Sequence, residues 1–316
     1  MKLNRRTFFK VAGAAGAVAL TPAKPSTAST ASASVDANRR GVLVDTTKCI
    51  GCRACEAACS EANTLPGPAM LDDAAVFAGP RKTDTKTFTV VNKASVASPA
   101  RFVKRQCMHC VEPACASACL VRALDKTPTG PVVYHKDRCL GCRYCMVACP
   151  FDVPKYEYES ALPYVKKCTF CADRQHGNEA EGSREPACES ACPTSALKFF
   201  GNTEGTSGRD LAIEEAERRF AADPDRYYKD QEGKFRIYGQ HEAGGTGWMY
   251  IFPSSVSPED MDMPDVTDEA VPRNARKALG TLPYYAIGVI GLMAAIYWVT
   301  KRRQKAAAGA GEKKEG

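Results

Sequence analysis

Short apolar runs broken by turn residues set the rhythm of this chain. Gly41-Val42-Leu43-Val44 is β-like and closes on the turn Asp45-Thr46-Thr47. Residues 87–91 and Val132-Val133-Tyr134 have the same short-strand character. Residues 209–222 space their apolar positions as a helix does, with acidic and basic residues left for solvent. A glycine-rich stretch, 244–247, leads into Trp248-Met249-Tyr250-Ile251-Phe252, which reads as a strand, and 254–272 is acidic and contains prolines. The two ends differ from this body. Val11 to Leu20 is apolar but too short to span a bilayer, and after a basic start it reads as the core of a signal peptide. Residues 282–300 are nineteen without a charge, enough for the ~30 Å hydrocarbon core at ~1.5 Å per residue.

Tyr284, Tyr285, Tyr297 and Trp298 sit near the ends of that run, where aromatic belts form. Lys301-Arg302-Arg303 and a low-complexity tail follow it, which favours a membrane anchor over a buried globular helix. Gly291 and Ala295 make a small-x-x-x-small pair for packing on another membrane helix. The expected organisation is a signal over 1–33, a linker over 34–40, a cysteine-rich body over 41–200 with an insertion at 60–100, a docking extension over 201–280, an anchor over 281–300 and a basic tail over 301–316. A plain surface excursion is the alternative for 201–280.

Charge narrows the function. Of the formal +7, residues 1–33 hold +5 and 301–316 hold +4, so the body between them is at −2. A nucleic-acid binder shows its basic footprint on the folded body, and this chain does not. Length gives room for about two domains on a ~150-residue prior. What stands out is cysteine, sixteen in 316 residues.

The cysteines fall into four runs. Cys49, Cys52, Cys55 and Cys59 are spaced C-x2-C-x2-C-x3-C, and Cys139, Cys142, Cys145 and Cys149 repeat that spacing with Pro150 after it. Cys107, Cys110, Cys115 and Cys119 widen the middle gap to four. Cys168 and Cys171 are separated by sixteen residues from Cys188 and Cys192, which Pro193 follows. C-x2-C-x2-C-x3-C-P is the bacterial ferredoxin pattern for [4Fe–4S] clusters, in which three thiolates wrap one cubane and the fourth ligates another. Disulfides are the competing use in an exported protein, but three cysteines in one tight loop do not readily all find distant partners. Zinc ribbons need CxxC pairs and give no reason for a third cysteine two residues on. Four complete sets therefore point to four [4Fe–4S] clusters, with all sixteen cysteines as iron ligands. No C-x-x-C-H haem site exists, and of His109, His135, His176 and His241 only His109, between two ligands, is expected beside a cluster.

Asn4-Arg5-Arg6-Thr7-Phe8-Phe9-Lys10 resembles the twin-arginine export signal, with Ala31-Ser32-Ala33 as a small-residue cleavage site. An ordinary secretory signal is the plainer reading, but clusters assembled in the cytoplasm must travel in a folded protein. From Cys49 to about Phe200 the chain resembles the four-cluster ferredoxin-type subunits of membrane-bound respiratory oxidoreductases, such as formate dehydrogenase-N and the polysulfide and dimethyl sulfoxide reductases. Within that family it most resembles the hydrogenase-2 type, through Lys104-Arg105-Gln106-Cys107-Met108-His109-Cys110-Val111-Glu112-Pro113, then Gly141 to Pro150, then Val153-Pro154-Lys155-Tyr156.

The resemblance implies an α+β fold of two pseudo-symmetric bacterial-ferredoxin-like units with a C-terminal transmembrane helix. It implies that the first run pairs with the fourth: Cys49, Cys52, Cys55 with Cys192, and Cys168, Cys171, Cys188 with Cys59. The second then pairs with the third: Cys107, Cys110, Cys115 with Cys149, and Cys139, Cys142, Cys145 with Cys119. The implied role is non-catalytic electron transfer on the periplasmic face of the membrane. The implied partners are the large and small subunits of a [NiFe] hydrogenase and a polytopic quinone-reactive membrane subunit. A molybdenum or tungsten formate dehydrogenase complex is the alternative partner; a zinc- or disulfide-stabilised scaffold and a catalytic Fe–S enzyme are the readings from other classes.

Overall fold

A computed structural model describes residues 39–68, 71, 73–95, 99–175, 185–201 and 206–312. The signal, most of the linker, His176 and the last four residues of the tail lie outside them.

The centre is a three-stranded sheet in the order β8-β1-β9. Strand β1 (Gly41–Asp45) runs antiparallel to β8 (Leu197–Phe200) and parallel to β9 (Trp248–Ile251), with Val42 opposite both Phe199 and Trp248. Alternation along the strands gives the sheet two apolar faces. Leu43, Met249 and Ile251 pack with Ala212, Ala216 and Phe220 of helix α6 (Gly208–Ala222). Val42, Val44, Trp248 and Tyr250 face the cysteine-bearing loops instead. Helix α6 begins at Ser207, whose side chain accepts the Asp210 N–H and donates to the Asp210 carboxylate at 2.7 Å. Small residues let it lie close on the sheet, and a Cβ on Gly41 would come within 2.7 Å of the Arg209 Cα.

The segment after residue 200 is therefore built into the core. All four residues of β9 are fully buried, and Thr46 Oγ1 donates to the Ile251 carbonyl at 2.9 Å. The insertion is also tied in. Its strand lies at β2 (Val90–Lys93), later than the expected 87–91, and pairs antiparallel with β3 (Phe102–Arg105). The shift has a local cause: Asp84 N–H bonds the Thr87 carbonyl at 3.0 Å, which uses that stretch as a turn.

The remaining elements carry the cysteine loops. Helix α1 (Ala54–Ala62) carries Cys55 and Cys59 of the first run, α2 (Ala114–Ser117) lies in the second, α3 (Tyr144–Ala148) in the third, and α4 (Ala172–Gln175) and α5 (Ala187–Ser190) in the fourth. Helix α1 packs on α5, and α2 on α3. Hairpins β4 (Leu124–Lys126) with β5 (Val132–Tyr134), and β6 (Lys155–Tyr156) with β7 (Val165–Lys166), complete a mixed helix and strand body.

Helix α7 (Val271–Glu312) is longer than the charge-free run, because a helical backbone does not stop where charges begin. Pro272 stands in its first turn, where a missing N–H costs nothing. Its span Val271–Gln304, buried at Pro272, contains an exposed 18-residue window of mean hydropathy 1.7 and is long and apolar enough to cross a membrane. At its base Arg273 donates to Glu112 at 2.6 Å, and Arg276 pairs with the other oxygen of the same carboxylate.

Candidate iron–sulfur centres

Spacing within each run becomes geometry through a few backbone positions. Gly51 and Gly141 both have positive φ, 76° and 71°, and two residues later Arg53 and Arg143 are left-handed at 59° and 62°. The first and third runs thus share one loop shape, each opening into a helix. Neither glycine has room for a side chain: a Cβ on Gly51 would meet the Phe102 ring at 2.7 Å, and one on Gly141 would meet the Tyr156 hydroxyl at 2.5 Å. Winding the chain this way turns N–H groups toward sulfur. Gly141 donates to Cys139 Sγ at 3.4 Å, Phe170 to Cys168 Sγ at 3.4 Å, and Ala123 to Cys119 Sγ at 3.1 Å.

All sixteen cysteines are free thiols, and the fold brings them into four groups. Cys49, Cys52, Cys55 and Cys192 line one small cavity, with Lys104 and Val44 also on its wall. Beside it, Cys59 is acted on by Cys188 and Cys171, and Cys168 by Cys59. Cys110 faces Cys107, Cys149 and Cys115. Cys145 faces Cys139, Cys119 and Cys142. Each group joins three cysteines of one run to one of another.

The groups also act on one another in series. Cys55 feels Cys188, Cys168 feels Cys107, and Cys115 feels Cys145. Cys52 and Cys142, at the two ends of this series, are the exposed thiols. We call the groups outer and inner of a first half (runs one and four) and inner and outer of a second half (runs two and three).

Burial dominates the electrostatics. It pushes the thiols of Cys49, Cys145 and Cys149 up to about 11, and those of Cys59 and Cys115 up to about 12, with neighbouring thiols adding to the effect. Such thiols stay neutral unless a cation sits among them, and a bound metal deprotonates them outright. Among the described residues no three His, Cys, Asp or Glu groups converge closely enough to hold a single ion. Loops that aim N–H groups at sulfur around a cavity fit a cage with its own sulfides better than a lone metal ion.

His109 occupies the seam between the halves. Its Nδ1 accepts the Val132 N–H at 2.9 Å, its ring lies 4.9 Å from Phe170, and its buried Nε2 has no hydrogen-bond partner. Burial, then Lys167 and Lys126, hold it well below the usual histidine range, so it is neutral with the proton on Nε2.

Other residues here were not legible beforehand. Glu56, next to Cys55, is buried and accepts from Arg53 at 3.1 and 3.2 Å, from the Val91 N–H at 2.6 Å, and from Arg81 of the insertion. It clamps α1 to the insertion, which gives 60–100 a structural role. Lys104, Lys126 and Lys167 bring three lysine side chains among these sets, and burial lowers Lys126 to about 7. A sequence shows a lysine two residues from a cysteine run, but nothing in it distinguishes a buried ammonium from a solvated one.

Comparison with known proteins agrees with this site. A family described as 4Fe-4S dicluster domain matches residues 99–202. A protein of Nitratidesulfovibrio vulgaris is 41% identical over 314 residues, covering 97% of this chain and 79% of the relative. The hydrogenase-2 operon protein HybA of Escherichia coli O157:H7 is 32% identical over 330 residues, 96% of each chain. A formate dehydrogenase iron-sulfur subunit of Haemophilus influenzae is 35% identical over 222 residues, 69% of this chain and 65% of the relative. The chain belongs to the family of iron–sulfur electron-transfer subunits of respiratory oxidoreductases.

Proposed function

We propose that this member of the iron–sulfur electron-transfer family carries four [4Fe–4S] clusters in a line and has no substrate site of its own. The observation that carries the proposal is the series of four thiol groups, each joining two runs, with exposed Cys52 and Cys142 at opposite ends. Bound clusters would supply one-electron redox chemistry, while the chain sets their spacing, burial and hydrogen bonds. The outer and inner groups of each half would form one ferredoxin-like unit, which the packing of α1 on α5 and of α2 on α3 supports.

Its direction in the membrane follows from α7. Glu112, two residues after Cys110, holds the base of the helix through Arg273 and Arg276. The second half therefore lies next to the proposed anchor, and its outer group, flanked by exposed Leu120, Leu140 and Val147, would face a quinone-reactive membrane subunit. The first half would take or give electrons at the catalytic partner. Full-length similarity to a hydrogenase-2 operon protein supports a [NiFe] hydrogenase in that place, and the Arg5-Arg6 signal supports export on the twin-arginine pathway to the periplasmic face. A second reading, a molybdenum or tungsten formate dehydrogenase, is favoured by the iron-sulfur subunit that matches over 222 residues.

Anaerobic purification of the complex from membranes, followed by metal analysis, tests these readings. About sixteen irons for this chain, four per [4Fe–4S] cluster, are expected beyond those of the partner. Nickel in the complex supports the hydrogenase link, and molybdenum or tungsten moves the assignment to the formate type. Zinc, or almost no iron, overturns the cluster reading.

A further inference from the structure

Lys104 has surroundings unlike those of the other buried lysines. It projects from β3 and is only 3% exposed. Its ammonium donates to Gln106 Oε1 at 2.8 Å and lies 4.5 Å from the centre of the Trp248 ring. The Gln106 amide is itself held by the Tyr250 hydroxyl at 2.6 Å. An ammonium has three donors, and this one spends a single hydrogen on protein oxygen. By contrast, Lys126 donates to the carbonyls of His109 and Gly130, and Lys167 to those of Val132 and Cys168.

The groups that face Lys104 are thiols from both sets of the first half. It lines the cavity of Cys49, Cys52, Cys55 and Cys192, and it acts on Cys59, Cys168 and Cys188 of the neighbouring set. Tyr250 and His109 are the other titratable groups that interact with it. Its Nζ sits over the Trp248 ring and against Gln106 Oε1, contacts that suit a cation. A buried charge without a partner is strongly disfavoured, and neutral thiols make poor partners. Clusters held by four thiolates are anionic and gain one more negative charge on reduction, so a fixed ammonium between two of them favours the reduced form of both.

Building on the four-cluster reading, we propose that Lys104 is a positioning residue that sets potential: a single buried cation raising the reduction potentials of both first-half clusters together. The lysines that act on second-half thiols are Lys126, on Cys110, and Lys167, on Cys115. Trp248 and the Gln106–Tyr250 pair hold the ammonium in place, which gives β9 a part in electron transfer as well as in folding.

The test is a potentiometric titration of the purified complex, followed by electron paramagnetic resonance, with iron measured on each sample. Lys104→Met removes the charge and nearly keeps the volume; Lys104→Arg keeps the charge. Two of four centres are expected to move to lower potential in Lys104→Met while two stay, and Lys104→Arg is expected to keep wild-type midpoints. Midpoints unchanged in Lys104→Met with full iron, or all four moving alike, overturn the proposal. If Lys104→Met does not keep its iron, Lys104→Arg decides: wild-type midpoints support the role of charge, and a downward shift of the first-half pair overturns it. Other than four centres in the unaltered chain overturns the cluster reading and this inference with it. Four centres indifferent to Lys104 overturn this inference alone.

Discussion

The two halves of the cysteine body carry similar runs in very different settings. The first is backed by a three-stranded sheet, helix α6, the insertion and the Glu56 clamp, and it encloses Lys104. The second rests on short two-stranded hairpins and small helices, and keeps Leu120, Leu140 and Val147 in solvent at 75% exposure or more. Similar ligand spacing thus builds similar loops, while the surroundings decide how dry each group of thiols is and what charge it feels. Cluster type follows from ligands; potential follows from burial, charge and hydrogen bonds.

The sharpest way to break the contrast is to remove the centre of the first half. Trp248 is fully buried, stands edge-on to Phe170 at 5.6 Å and supports Lys104. Trp248→Ala is expected to cost about 3–5 kcal/mol and to release first-half iron first, read by thermal unfolding and iron content. Second-half resonances persisting as first-half ones disappear would show that the halves fail separately; their joint loss would show one cooperative unit.

Next in size is the clamp. Glu56→Ala leaves Arg53, itself 3% exposed, and Arg81 without their shared carboxylate. Stripping one partner from a buried ion pair costs roughly 3 kcal/mol or more. The loss should appear as faster proteolysis within 60–100 and a lower melting temperature, with the second half little affected.

Acid sharpens the comparison differently. Burial alone would raise the Glu215 carboxyl, but hydrogen bonds from Arg218 and Arg219, with Lys198 nearby, hold it down at about 2. A carboxyl with a depressed native pKa stabilises fully above its ordinary range and loses that contribution as pH falls toward the native value. Arg219 also holds Asp45 of β1 at 2.8 Å, so α6 should loosen from the sheet between about pH 4.5 and about pH 2. Far-ultraviolet circular dichroism across that range measures it, and Glu215→Gln should flatten the dependence.

The smallest effect is expected at the anchor. Glu112 pairs with Arg273 and Arg276, both largely exposed, so Glu112→Ala should change stability by only ~0–1 kcal/mol. Its readout is orientation: spin labels on α7 and α2 should show a broader distance distribution. An unchanged distribution would mean that packing at the helix base, and not the ion pairs, holds the angle.

Much of the site was legible because cluster ligation is a local matter. Three cysteines within seven residues, with a glycine where the loop turns back, suffice to specify a ligand loop, and such loops are what Gly51 and Gly141 make. Short strands at Gly41–Asp45, Val132–Tyr134 and Trp248–Ile251 were also readable from apolar runs between turn residues, and α6 from its spacing. The strand in the insertion was misplaced by a few residues, since the turn at Asp84–Thr87 depends on a backbone bond that residue types do not announce.

By itself the sequence determined the sixteen candidate ligands, the apolar run of α7 and the alternation of the central strands, all set by neighbours a few residues apart. Only the tertiary structure decided what depends on residues far apart in the chain. Gln106 meets Tyr250 across 144 positions, and Thr46 meets Ile251 across 205. Through such contacts β9 enters the sheet beside β1, the insertion reaches Glu56, and Lys104 is enclosed among thiols of two runs. Ligand spacing is written in covalent geometry. Burial and charge at the clusters arise from packing, which is settled only when the whole chain has folded.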